Sequence, residues 1–409
     1  MVGRLRSLAR FDALVLTALL WFLAKFLRYA FPPLFGTLQA EYGVSNAVVG
    51  SAFTALMLVY ALMQFPSGAL ADRVGAVTVI TVGAVVAAAG ALALVPSVPF
   101  ALVVAAMLLV GIGTGVHKTV AVRLLSQVYP AQTGRALGAL DTLGAFGGVA
   151  APAAVVALST GPYTDWHAVF LLGGGVGIAL AAAFAFRVPK RVPDSRNVAA
   201  DGSAGVREYA ALFRRPRFAV FVLVTICFSF AYNGAVAFLP LYLEESGGLS
   251  TVAASGIYSA LFVVSLVQLL TGEASDRVGR LSIIGFTLGL AAVALVALVV
   301  VGEANVLVLG AVVAAFGLGS HGFRPVRGAY LVSVIPDTVA GGGLGAVRTL
   351  LMGAGALAPA AVGILSDVAD FRVAFSVLAA SMAAAAALTG VLVVIGDDAD
   401  SDASGGRPS

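Results

Sequence analysis

The chain has 409 residues, of which 60% are hydrophobic and only 11% charged, with a net charge of +4 and a mean hydropathy of +1.02. Soluble domains carry about a quarter charged residues, so this composition cannot clothe a water-facing surface of that size. The single cysteine, Cys227, excludes a disulfide framework within one chain, and its apolar neighbours mark it as packing.

A run of about 20 apolar residues is long enough to cross a bilayer. Such runs recur along the chain and predict spans over 13–36, 47–71, 77–95, 100–128, 136–159, 167–187, 217–243, 251–273, 281–301, 306–334, 342–366 and 372–395. The basic start Arg4, Arg6, Arg10 leads into a first span too long, and too polar in its middle, for a cleaved signal. The breaks carry ordinary turn chemistry, such as Pro96-Ser97-Val98-Pro99 and Gly161-Pro162. One connection, 188–216, is long and polar, and divides six spans (1–187) from six (217–395). The acidic segment 396–409, with Asp397, Asp398, Asp400 and Asp402, is expected to be a disordered tail.

Loop charge sets the expected orientation. Sixteen Lys and Arg fall in one alternating set of loops, including Arg73, Arg135, Arg277 and the basic middle connection, and only Arg372 falls in the other. By the positive-inside rule both termini and the middle connection are expected to be cytoplasmic.

The halves repeat. Gly68-Ala69-Leu70-Ala71-Asp72-Arg73-Val74-Gly75 follows span 2, and Gly272-Glu273-Ala274-Ser275-Asp276-Arg277-Val278-Gly279 follows span 8. Asp72 and Asp276 lie 204 residues apart, as do His117 and His321, and Arg123 and Arg327. Such a register is the mark of a transporter built from two six-helix repeats. With the paired G-x-x-x-D-R-x-G turns, the basic middle connection and the Gly/Pro-rich segment 144–152, the chain resembles the major facilitator superfamily over essentially its whole length. The resemblance implies an all-α membrane protein with twelve transmembrane helices in two pseudo-symmetric six-helix bundles, working by alternating access at a central site.

Charges inside the spans are the most informative residues. Seven cations lie there, Lys25, Arg28, Lys118, Arg123, Arg324, Arg327 and Arg348, against one clear acid, Asp141. An intramembrane charge is costly unless it snorkels, pairs or lines a wet cavity. Seven against one cannot all pair within the chain, so some must face water or meet an anion from outside it. Lys25 and Arg28 share a face of span 1, and His321 and Arg324 share a face of span 10. His117 and Lys118 lie past the middle of span 4. The resemblance implies that spans 1, 4, 7 and 10 line the central cavity, where span 7 offers Tyr232 and Asn233. Lys25, Arg28, His117, Lys118, Tyr232, Asn233, His321 and Arg324 are therefore candidate substrate ligands, with Arg28 and Arg324 suited to fork carboxylate or phosphate oxygens. The bland alternative is that these cations snorkel or bond backbone carbonyls, and that the histidines are buried neutral polar groups.

Asp72, Arg73, Arg123, Arg135, Asp141, Asp276, Arg277, Arg327 and Arg348 lie toward the basic ends of the spans. The resemblance implies a cytoplasmic gate there: Asp72 facing the start of span 11 at Gly341-Gly342-Gly343 near Arg348, and Asp276 facing the start of span 5 near Arg135. Gly111-Ile112-Gly113-Thr114-Gly115 follows no strand and is read as close helix packing, not as a nucleotide loop. No metal-ligand spacing, paired catalytic carboxylates or nucleophile set stands in a polar context, so neither an enzyme nor a cofactor is expected.

The sequence thus points to a monomeric secondary transporter in the cell membrane. Its expected partners are lipid, a small-molecule substrate and a coupled proton or ion, not nucleic acid. A small organic or inorganic anion suits the excess of span cations. The alternative is a proton-coupled efflux pump for drugs or amphiphiles, but a cationic drug would want a deep acid, and spans 1, 4, 7 and 10 hold none.

Overall fold

A computed structural model describes residues 11–159, 165–192, 212–334 and 352–404. Every regular element among them is helical. This follows from the apolar surroundings, because a backbone in hydrocarbon must satisfy its N–H and C=O groups internally. Ten helices are long and apolar enough to cross a membrane, and two shorter apolar ones, Ala76–Leu92 and Met352–Val368, complete twelve spans.

Several spans are not single straight rods. Span 1 runs Asp12–Tyr29, tightens into a 3₁₀ turn at Pro32–Leu34 and resumes as Phe35–Tyr42, so it is longer than its apolar run. Span 2 is Asn46–Val74, span 5 is Thr133–Ser159 and span 7 is Pro216–Glu245, each with an internal proline. Span 4 breaks at Val116 between Phe100–Gly115 and His117–Val128. Span 8 is Thr251–Val263, a 3₁₀ turn Val264–Val267, then Gln268–Val278. Span 10 is Val306–Val334. The last helix runs Phe371–Ser404, although the segment after 396 was expected to be disordered. An established helix extends at little cost, and no Gly or Pro interrupts it between Asp397 and Ser404.

The repeated turns explain their own glycines. Gly75 and Gly279 cap spans 2 and 8 with φ of 91° and 101°, a region that disfavours any side chain, and each starts the next span one residue on.

Among the described residues the halves meet most extensively through span 1 with span 7, span 2 with span 11, and span 5 with span 8. All three lie at mid-depth or toward the face remote from the Asp72 and Asp276 turns. There Ala360 N donates to Thr54 Oγ1 at 2.9 Å, and Asn46 N and Ala47 N donate to Asp367 at 3.1 and 2.8 Å. Phe35 meets Phe238 edge-on, and Ser259 Oγ donates to Val149 O at 3.2 Å. A methyl at Gly50 or Gly363 would overlap the Pro359 or Asn46 carbonyl oxygen, which measures how closely spans 2 and 11 approach. At the basic face the pairs Lys118–Asp141, Asp72–Arg123 and Arg277–Glu273 each stay within one half.

Candidate functional site

Span 1 climbs from the basic face, so Trp21, Lys25, Arg28 and Tyr29 follow one another toward mid-depth. Lys25 stands 5.4 Å from the Trp21 ring centre. Arg28 is 4% exposed and lies flat on Tyr60 of span 2 at 4.0 Å, with Tyr29 at 5.3 Å. Its Nε and Nη1 have no hydrogen-bond partner. A buried polar group left unpaired costs about 1–3 kcal/mol, and more when it is charged. From the other half, Arg324 lies over the Tyr232 ring at 4.4 Å. Lys25 is within electrostatic range of Arg324, Arg28, Lys118 and Asp141. Lys25, Arg28 and Arg324 therefore share one neighbourhood across the boundary between the halves.

His321 is 2% exposed and meets Tyr232 edge-on at 5.8 Å and Phe262 at 6.2 Å. His117 behaves differently. It stacks on Trp21 at 5.8 Å, and its Nε2 lies 3.0 Å from Thr17 O, so it ties span 4 to span 1. Asn233 donates to Ser229 O one turn below and faces Gly355 of span 11 instead of the cations.

Lys118 and Asp141 were expected to divide between site and gate, but the structure joins them in one ion pair between spans 4 and 5. The second part of span 4, His117–Val128, packs against span 5 and brings Lys118 to Asp141. Lys118 also lies 5.7 Å from the Trp21 ring, so Trp21 stands between two lysines.

The gate candidates form local contacts. Asp72 pairs with Arg123 of its own half. Asp276 makes no ion pair with Arg135 among the described residues, and both are exposed. Arg277 pairs with Glu273 one turn earlier, Arg73 is exposed, and Arg327 lies 5.9 Å from the Phe323 ring. Arg348 and Gly341-Gly342-Gly343 lie outside the described residues. The carboxylates Asp72, Asp141 and Glu273 each find a cation of their own bundle.

The site also holds residues that the charge argument passed over. Tyr29 meets Phe262 of span 8 at 4.6 Å, joining the halves directly above the cations. Ser255 and Tyr258 share that face of span 8 and are buried. The pattern Ser255-x-x-Tyr258-x-x-x-Phe262 was readable as one polar and aromatic stripe, whereas Tyr60 could be placed only by the fold.

Comparison with known proteins fits this architecture. The profile of the Major Facilitator Superfamily matches residues 17–268 and 260–408. The chain belongs to that superfamily. It is a multi-pass membrane protein. It is 32% identical over 162 residues to the niacin transporter NiaP of Acinetobacter baylyi, covering 39% of this chain and 35% of that one. It is 24% identical over 262 residues to a probable sulfoacetate transporter, SauU, of Cupriavidus necator, covering 59% of each. The matches thus span about a third and about three-fifths of these relatives. Two structures of a bacterial homologue of the human lysosomal transporter Spinster share the fold. The inward-facing, occupied form gives a TM-score of 0.76 at 17% identity, covering 93% of this chain and 96% of that one. The inward-facing, unoccupied form gives 0.71 at 18%, covering 94% and 95%.

Proposed function

We propose that the chain is a secondary transporter for a small organic anion, working by alternating access. The basic face, with both termini, is cytoplasmic, and the described arrangement is the one open toward it. The anion sits among Lys25, Arg28 and Arg324, so both halves hold it and its binding couples to their motion. The observation that carries this reading is the shared neighbourhood of three cations with no acid of their own among the described residues. Asp141, the acid in range of Lys25, is engaged by Lys118. A positive field in a low-dielectric site favours an anion. Support also comes from the relatives named for niacin and sulfoacetate, both of which are anions.

The test is anion uptake or efflux in proteoliposomes, with binding measured beside it. Arg28→Gln and Arg324→Gln should each weaken binding by about 2–5 kcal/mol and abolish transport, because the anion is then left partly unpaired, while folded protein stays near wild-type yield. Lys at 324 should rescue poorly, since an ammonium lacks the guanidinium fork. Wild-type transport by both Gln variants would refute the reading. So would a preferred ligand that is a cation and binds better after Arg28→Gln.

A further inference from the structure

The cations fill only one end of the site. Beyond them, toward the remote face, two neutral groups are buried without partners, the hydroxyls of Ser255 and Tyr258. Ser255 is 1% exposed and Tyr258 not at all. Tyr258 lies within electrostatic range of Tyr29, Tyr232 and Arg28 and stands edge-on to Phe262 at 5.2 Å. Rings separate this neutral end from the cations: Tyr29 on Phe262 at 4.6 Å, and Tyr232 beside His321 at 5.8 Å.

The two ends have different chemistry. Guanidinium and ammonium groups only donate hydrogen bonds, whereas hydroxyls both donate and accept. Between them lie aromatic faces and edges, which suit an apolar or flat body. A bare inorganic anion would engage the cations and leave the far hydroxyls unpaired. Unpaired buried hydroxyls are costly, so a ligand that satisfies them gains affinity over one that does not.

Resting on the anion reading above, we infer that the transported anion has two poles: a charged group held by Arg28 and its neighbours, and a neutral hydrogen-bonding group at the far end of an apolar body, paired by Tyr258 and Ser255. The Tyr29–Phe262 contact is the partition between the halves that must shift to admit it. Tyr258 and Ser255 thereby set specificity.

Isothermal titration of the purified full-length chain with benzoate, 3- and 4-hydroxybenzoate and sulfate tests this. The better hydroxybenzoate should bind at least about tenfold more tightly than benzoate, because a site built to pair a hydroxyl rejects the analogue that lacks one. Sulfate should bind more weakly than either. Tyr258→Phe and Ser255→Ala should each erode the hydroxyl preference, read as the ratio of hydroxybenzoate to benzoate affinity, chiefly by weakening the hydroxybenzoate. Phe keeps the ring and Ala leaves only a small gap, so either variant can report if the other folds poorly. Arg28→Gln should lower benzoate and hydroxybenzoate alike. Equal binding of benzoate and both hydroxybenzoates overturns the inference, as does sulfate binding best, or a preference untouched in both variants. An Arg28→Gln variant that binds normally while Tyr258→Phe erases the preference would sink the cation assignment and spare the neutral end. Binding of an amphiphilic cation but of no anion would sink both.

Discussion

The two faces of the bundle use carboxylates in opposite ways. At the face remote from the basic loops, Asp367 of span 11 accepts the Asn46 and Ala47 N–H groups at the start of span 2, reaching across the halves. At the basic face Asp72 pairs with Arg123, Asp141 with Lys118 and Glu273 with Arg277, each within its own half. A carboxylate that caps the other half's helix ties the halves together. One that is paired at home leaves them free to part. The sequence motif marked the second kind and said nothing of the first.

The sealed face should be the harder to perturb quietly. Gly363 packs against the Asn46 carbonyl, and Gly363→Val puts a branched side chain where even a methyl overlaps. Overpacking of this kind typically costs about 1–3 kcal/mol, which here falls on the closed arrangement alone. Uptake should drop at least about tenfold, since about 1.4 kcal/mol is tenfold in an equilibrium. A Thr54→Cys reporter in a Cys227→Ala background should be protected from an impermeant maleimide added outside cells, and become labelled once Gly363→Val is added. Normal uptake with Thr54→Cys still protected would remove the seal from spans 2 and 11. Labelling from the cytoplasmic side alone would invert the proposed orientation.

How far this comparison was legible in the sequence follows from which residues announce themselves. Twelve spans and two repeated halves were readable because hydropathy and the 204-residue offset are local and periodic signals. The cations stood out because charge inside a span is rare. Tyr60, Thr54 and Asp367 carry no such flag: an aromatic, a hydroxyl and a loop-end acid are ordinary where they occur, and only tertiary packing gives them partners. The Lys118–Asp141 pair was missed because the two residues sit on different spans and only the packing of span 4 on span 5 brings them together. The same offset now relates Arg28 to Tyr232 and Lys25 to Ser229, so the cations of span 1 answer to hydroxyls on span 7. The repeat preserved the backbone and divided the chemistry.

A milder break of the sealed face is Asp367→Asn. The amide oxygen can still accept one N–H bond, but the charge that favours a helix N-terminus is gone. Loss of a capping group costs about 0.5–2 kcal/mol. The Asn46 and Ala47 amides should then exchange with solvent deuterium several-fold faster, while anion affinity holds and the transport rate shifts by no more than about tenfold. Unchanged exchange at those two amides would mean that Asp367 does not hold the halves.

The smallest effect is expected at the basic face. Asp72 and Arg123 are 53% and 39% exposed, so water screens their pairing. Exposed pairs contribute about 0.2–1 kcal/mol, less at high salt. Asp72→Asn and Arg123→Gln should therefore each lower the melting temperature by only a few degrees, and the double variant should be no worse than the more damaging single one, because both remove the same contact. Asp276→Asn, with no ion pair among the described residues to lose, should shift it less. Transport should respond more than binding at all three positions, since the turns stand far from Lys25, Arg28 and Arg324 in depth. Proteoliposome uptake measured against equilibrium anion binding separates the two. A loss of affinity larger than the loss of rate would place Asp72 in the substrate's path, and would end the distinction between a face that binds the halves and a face that releases them.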